Sequence, residues 1–370
     1  MTAIIFLIVL AVLIFVHELG HFLVAKACGI RVDAFAIGFG PSIFSWKGRE
    51  TKYSLNIIPF GGYVKIFGEN PDAESTTGPD AARSFINKPR WQQACVLVAG
   101  VFFNFIFAWI LYIGIFSAGV TATTDGFEKY ADRFSDPKIM ITDVLPGSPA
   151  DKAGLKAGDV IQEIKNNTSV VKSVDQEYKV EPLQVAINES GGTPISMTIL
   201  RDSTAETLEI VPAQGLVTDK YAIGIAMQKV ADLQLPFFTA IYEAGHFVLV
   251  MIRETAVGLY TFVANIFQGT ANFSDVAGPV GIAGIVGSAA DMGMVYLLMI
   301  TALISINLGV INLIPFPALD GGRILFVTIE SVIRRRIPSQ VANTMNAVGF
   351  VLLMLLMIVV TYKDIVRLFK

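Results

Sequence analysis

His17, Glu18 and His21 stand in the order His-Glu-x-x-His within a stretch otherwise apolar from residue 3 to residue 25. On a helix this spacing puts two imidazoles one turn apart on one face. Both then reach a single Zn²⁺, with the glutamate beside them as general base. The surrounding stretch is long enough to cross a bilayer core of about 30 Å. Ionisable groups at that depth are costly and mark function by default. The motif predicts a metal-dependent hydrolase whose active site lies within the lipid.

A catalytic zinc site takes three protein ligands and leaves one position for water. The chain has three histidines in all, and the third, His246, reads as a polar residue on an interfacial helix. Cys28 shares the helical face of the motif but lies roughly 10 Å further along the axis at 1.5 Å per residue. The third ligand is therefore expected to be a carboxylate. The best candidate is Asp320, in Asn312-Leu-Ile-Pro315-Phe-Pro317-Ala-Leu-Asp320-Gly321-Gly322. The two prolines end a membrane span, and irregular backbone at membrane depth is tolerated only where it is buried in protein or lines a wet cavity. Asp320 falls at the cytoplasmic end of its span. His17 falls about 12 Å from the same end of its own helix, so the depths agree. A plain helix cap after a proline break is the alternative role for Asp320.

Four apolar segments would position these groups: residues 3–25, 94–120, 294–314 and 346–362. Of 370 residues, 53% are hydrophobic and 16% charged, against about 25% charged in soluble domains, which indicates an integral membrane protein. The first segment has no basic flank or cleavage site and reads as a retained span. The net charge of −3 gives no reason to expect nucleic acid. Cys28 and Cys95 read as small buried apolar residues rather than a disulfide framework. The loops at 26–90 and 323–336 are rich in Lys and Arg, which places both in the cytoplasm. Both termini and residues 121–293 are then expected outside. A Gly38-x-Gly40 pair lacks the third glycine and the βαβ setting of a nucleotide loop.

Residues 121–230 read as a separate soluble module, with short β-branched runs at 139–144, 195–200 and 208–211 between turn residues. Residues 236–268 are apolar but carry Glu243, His246, Arg253 and Glu254, with apolar positions at helical spacing. This pattern predicts an amphipathic helix at the outer interface. A fifth span is the alternative and would reverse the topology downstream. The expected organisation is a membrane domain at 1–120, the module at 121–230, the interfacial helix and loop at 231–293, and a second membrane domain at 294–370.

The stretch Val144-Leu-Pro-Gly-Ser-Pro-Ala150, followed by residues 153–161, resembles a bacterial PDZ domain, with residues 221–227 as its closing strand. Such a domain binds an extended peptide along a sheet edge; a steric gate that binds nothing is the alternative. His-Glu-Leu-Gly-His in the first span, Leu-Asp-Gly-Gly in a later one and a PDZ insertion between them resemble the site-2 protease family of intramembrane zinc metalloproteases. The resemblance extends through Gly38–Pro41, residues 59–65 and residues 274–281. It implies a polytopic α-helical membrane protein with about four transmembrane helices, an extracytoplasmic PDZ domain and a re-entrant β-hairpin.

The resemblance further implies that His17, His21 and Asp320 bind zinc and that Glu18 activates water. The implied substrate is a single-span membrane protein of the anti-sigma type, cut in its membrane segment after a first-site cut; signal-peptide remnants are a second class. The expected location is a bacterial plasma membrane, with the active site near the cytoplasmic side. Well-known relatives carry two tandem PDZ domains, whereas one is visible here. A membrane helix has its peptide bonds internally satisfied, so a substrate must unwind before cleavage. A hairpin of residues 53–58 and 62–67, including Tyr53, Leu55, Gly61 and Gly62, is expected to clamp the unwound segment together with Asn312. The reading of a different class is a non-proteolytic PDZ-bearing scaffold or metal transporter, which has no need of a base at Glu18.

Overall fold

The computed structural model describes residues 1–70, 72–123, 128–201, 204–217, 220–270 and 277–368. In chain order the elements begin with helix α1 (Thr2–Ala27), strands β1 (Val32–Lys47) and β2 (Lys52–Ile66), the short helix α2 (Ala73–Thr77) and α3 (Arg90–Ala118). Next come β3 (Val120–Thr123), β4 (Phe134–Val144), α4 (Pro149–Lys152), β5 (Val160–Lys165), β6 (Val170–Lys172), α5 (Glu181–Glu189), β7 (Ile195–Arg201) and β8 (Thr204–Ile210). The chain continues through β9 (Ala213–Val217), β10 (Lys220–Ala222), β11 (Ile225–Leu233), α6 (Phe237–Gln268) and α7 (Pro279–Met292). It ends with α8 (Met294–Asn312), α9 (Asp320–Ile333) and α10 (Ser339–Leu368). The elements form two compact units: residues 1–115 with 237–370, and residues 116–236.

The first unit is built on helices that are apolar around their whole circumference, as a lipid-facing helix must be. Among the described residues, five helices are long and apolar enough to cross a membrane: Thr2–Ala27, Arg90–Ala118, Phe237–Gln268, Met294–Asn312 and Gln340–Val366. The four expected segments are among these five candidates. The fifth is α6, whose apolar run is interrupted only sparsely, by Glu243, His246, Arg253 and Glu254.

The directions of the other four are coherent. Gly20 of α1 meets Ala99 of α3, while His17 bonds Asn104 and His21 bonds Val96, so α3 runs opposite to α1. Leu297 and Ile300, near the start of α8, pack with Val9 and Leu13 of α1, and Asp320 after its end meets His17. Hence α8 runs with α1. Asn346 of α10 bonds the Ala318 amide, and Asp364 near its other end bonds the Gly281 amide of α7, so α10 runs back. Helix α7 lies along the first half of α1, Val286 packing on Val9 and Leu13. Thus α3 finishes, and α8 begins, on the side where α1 begins.

The sheet of the first unit is not the local hairpin expected. Residues 34–37 pair with 65–62 on one side and with 52–55 on the other, and residues 42–47 pair with 56–52. Two long strands that fold over themselves thereby make four rungs, and 53–58 do not pair with 62–67. The reason is non-local: the backbone of residues 32–37 lies between the two halves of β2, while Val32 and Phe35 are buried in a cluster with Phe22 and Ala25 of α1 and Val96 and Leu97 of α3. Residues 274–276 of the family-like stretch lie outside the described residues. Cys28 is half-buried and Cys95 exposed, which corrects the expectation that both are buried. Both are free thiols.

The second unit is a sheet in the order β3-β11-β4-β5-β7-β8, with β6 beside β5 and β9-β10 as a separate pair. Its core is aliphatic: Ile139, Ile141, Ile161, Ile164, Leu183, Ile195, Met197 and Ile199 are buried. Alternation explains the strands, since β7 buries every second residue. The predicted strand at 221–227 is split between β10 and β11. Gly224 has φ +83°, its carbonyl accepts from the Leu145 amide, and the Ile223 carbonyl accepts from the Ala150 amide. Strand β3 pairs only with residues 230–233 of β11, whereas β4 pairs along 225–233.

Candidate metal centre

Three side chains expected to act together do meet. The Nε2 atoms of His17 and His21 are 3.3 Å apart, and Asp320 Oδ2 is 3.1 Å from the first and 3.3 Å from the second. Among the described residues this is the group of ligating atoms close enough to share one ion, all within 4.8 Å of one another. The helix explains the first two: residues i and i+4 share a face. The third depends on a tight turn. Pro315 disfavours helix at the residue before it, so α8 stops at Asn312 and the chain doubles back to start α9 at Asp320. That turn requires small residues. A Cβ on Gly321 would lie 2.2 Å from the Ile314 carbonyl oxygen, and one on Gly322 would lie 2.3 Å from that of Phe316.

Two nitrogens and a carboxylate oxygen form the donor set that Zn²⁺ takes in catalytic sites. Asp320 Oδ2 is buried without a hydrogen-bond donor of its own, and neutral imidazoles cannot all supply one from atoms that point at the same spot. A cation at that spot satisfies all three. The residues fit the metal.

Helix α3 forms the floor. Gly100 faces both rings: a Cβ there would come within 2.3 Å of His21 Nε2 and 2.8 Å of His17 Cε1. The Nδ1 atoms turn away from the metal position, His21 to the Val96 carbonyl at 2.8 Å and His17 to the Asn104 amide at 3.1 Å. Neither Gly100 nor Asn104 was singled out by the sequence reasoning. The signal available was an asparagine inside an apolar span, which is expensive at that depth unless it has a partner.

Glu18 is half-buried beside the motif face. Gly62 of β2 approaches its Cγ closely enough that a Cβ there would sit at 3.4 Å. The outer rung of the sheet, residues 62–66, therefore runs beside the base. The remaining expected binding residues are scattered. Gly61 (φ +97°) leaves room for the Phe39 ring. Tyr53 packs on Phe22, Phe35 and Trp46. Leu55 is exposed on an inner rung, and Asn312 closes α8, half-buried.

The sequence model of peptidase family M50 matches residues 5–356. The chain belongs to that family. It is similar, at 36% identity over 361 residues, to a protein of Clostridium perfringens named as a zinc metalloprotease, which covers 97% of each chain. A zinc metalloprotease by name from Fusobacterium nucleatum is 32% identical over 375 residues, covering 100% of each. Protease RseP of Yersinia pestis is 30% identical over an alignment of 456 positions, covering 98% of each. That alignment is longer than the 370 residues here, so RseP carries inserted residues that this chain lacks. The protein is a zinc metalloprotease of the site-2 type, with several helices suited to a membrane.

Proposed function

We propose that the protein is an intramembrane zinc endopeptidase that cuts the membrane segment of single-span proteins, with His17, His21 and Asp320 as the zinc ligands and Glu18 as the general base. The observation that carries this reading is the convergence of three ligating atoms, two from a spanning helix, on one point beside a glutamate. Bound zinc polarises a scissile carbonyl and makes water acidic enough to ionise near neutral pH. Glu18 accepts the proton of the attacking water and passes it to the departing amine. Replacing Glu18 with Gln should stop proteolysis while zinc stays bound at one per chain. Proteolysis by that variant at the wild-type rate would defeat the assignment.

The exposed faces of the sheet support a re-entrant role. Ile43, Phe44, Trp46 and Ile57 are each at least 60% exposed, a cost in water that lipid removes. An unwound substrate would pair with the backbone of the outer rung, with Asn312 as the second contact of the clamp. Asn312→Ala should slow cleavage without loss of zinc; equal zinc loss would defeat the clamp. The helix directions support four net crossings, with the loops at 28–89 and 313–338 in the cytoplasm of a bacterial plasma membrane. Because α3 ends and α8 begins on one side, residues 119–293 contribute no net crossing, and α6 inserts without changing the topology.

The second unit is read as a PDZ domain on the opposite, extracytoplasmic side. Support comes from the open edge of residues 225–229 and a groove of about 290 Å³ beside α5, lined by Gln184, Val185, Asn188, Tyr221 and Ile223. An extended peptide would add to that edge. The substrate class is an anti-sigma-type protein already shortened by a first protease, or a signal-peptide remnant. Deleting residues 125–228 should permit cutting of the unshortened substrate; unchanged discrimination would remove the domain from gating.

A further inference from the structure

We propose that Asn104 is a positioning residue for the metal centre, accepting the Nδ1 proton of His17 and thereby fixing that ring's tautomer and tilt. The proposal rests on the zinc reading above. A histidine that gives Nε2 to a metal carries its proton on Nδ1, and metal-bound imidazoles almost always donate that proton to an oxygen. For His21 the oxygen is the Val96 carbonyl at 2.8 Å. For His17 the group in place is the Asn104 amide, 3.1 Å away. Only Oδ1 of that amide can accept. Asn104 is fully buried, and its Oδ1 has no partner while Nδ2 faces the ring. A half-turn of the amide group presents Oδ1 to the ring and satisfies the proton that metal binding places there.

The two oxygens come from one helix. Val96 and Asn104 are eight residues apart on α3, about 12 Å at 1.5 Å per residue, and Gly100 lies midway. One face of α3 thus grips both rings from outside and leaves a gap between for their Nε2 atoms. The two grips differ in kind. The Val96 grip is backbone and survives any substitution, whereas the Asn104 grip is a side chain. Asn104 also ties in α8, because Ser305 Oγ donates to its backbone carbonyl at 2.9 Å. Interhelical glue between α3 and α8 is therefore the competing role, and the Ser305 bond separates it from positioning.

The test is zinc affinity of the purified full chain in detergent, read by chelator competition, with Co²⁺ absorption as a second readout. Asn104→Leu, similar in size without an acceptor, should bind zinc about 10- to 100-fold more weakly and shift the Co²⁺ bands. Asn104→Asp keeps an acceptor and should hold zinc at least as tightly as the wild type. Ser305→Ala removes the helix tie and should leave zinc affinity and Co²⁺ bands unchanged. Wild-type affinity in Asn104→Leu overturns the proposal, as does a loss in Ser305→Ala equal to that in Asn104→Leu. Should Asn104→Leu fail to fold, Asn104→Asp decides alone, and weakened zinc binding in a folded Asn104→Asp overturns it. A wild-type chain without stoichiometric zinc would instead overturn the ligand assignment itself.

Discussion

The two units solve burial in opposite senses. Residues 116–236 hide isoleucines and turn most charge outward: Ile139, Ile141, Ile161 and Ile164 are buried, while on β5 Glu163 is half-buried and Lys165 exposed. The helical unit hides Asn104, Ser305, Thr301 and His21, and exposes Ile4, Ile8, Phe102 and Val351. Water rewards apolar burial in the first case. Where lipid is the solvent, apolar side chains gain little from meeting one another, and association relies on close packing and interhelical hydrogen bonds. Polar side chains are then free to gather at the centre, where the metal ligands need them. One chain thus holds a dry core designed for stability and a polar core designed for chemistry.

The sharpest way to break the polar core is to fill its one gap. Gly100→Ala should leave the fold intact, because the atoms in its way are ring tips rather than backbone. Those tips cannot retreat and still converge on one ion. Metal analysis of the purified variant should show zinc binding weakened by more than about 100-fold and proteolysis lost, an effect at or beyond the top of the range for an outer-shell change. Full zinc occupancy would mean that the rings reach the metal from a different side.

The dry core breaks by loss of volume. Ile164 is wholly buried among other aliphatic side chains, and Ile→Ala in such a place costs about 2–5 kcal/mol. Hydrogen exchange in the full chain should show faster opening of β5 and β7, with zinc content unchanged. A change in zinc content would show that the two units are energetically coupled. A charge pair at the edge of that core is worth less. Asp159 is buried, accepts from Arg201 at 2.7 and 2.6 Å, and also accepts from the Lys156 amide. Asp159→Ala should cost about 1.5–3 kcal/mol, the range for hydrogen bonds to a charged group, read by the same exchange measurement.

The legibility of these features in the sequence follows their locality. His17, Glu18 and His21 lie within one helical turn, and Asp320 is flagged by prolines that break an apolar run, so both halves of the site could be read. Gly100 and Asn104 could not, because their roles arise only when α3 packs across α1. The sheet failed for a related reason. Period-two alternation identifies strands at 53–58 and 62–67 but carries no record of partners, and residues 34–37, from well before both, lie between them. Likewise residues 221–227 read as one strand, because the break at Gly224 goes with a bond from the Leu145 amide, far away in the sequence. Helix α6 was ambiguous for a different reason: composition decides whether a helix tolerates lipid, and only the directions of its neighbours decide whether the chain crosses.

The smallest expected effect is the most direct test of the contrast. Ile8 lies on α1 and is 58% exposed, between the exposed Ile4 and the less exposed Val12. In water, truncating such a residue removes little because little was buried. In lipid the same side chain is surrounded in the folded protein and would be surrounded equally by hydrocarbon if the helices came apart, so the contact cancels between the two states. Ile8→Ala should therefore change thermal stability in detergent by less than the about 0.5 kcal/mol typical of a neutral surface substitution, against several for Ile164→Ala. A cost for Ile8→Ala near that of Ile164→Ala would mean that protein rather than lipid covers this face of α1. The helical unit would then have a core of the ordinary kind, and the freedom to keep polar groups at its centre would need another source.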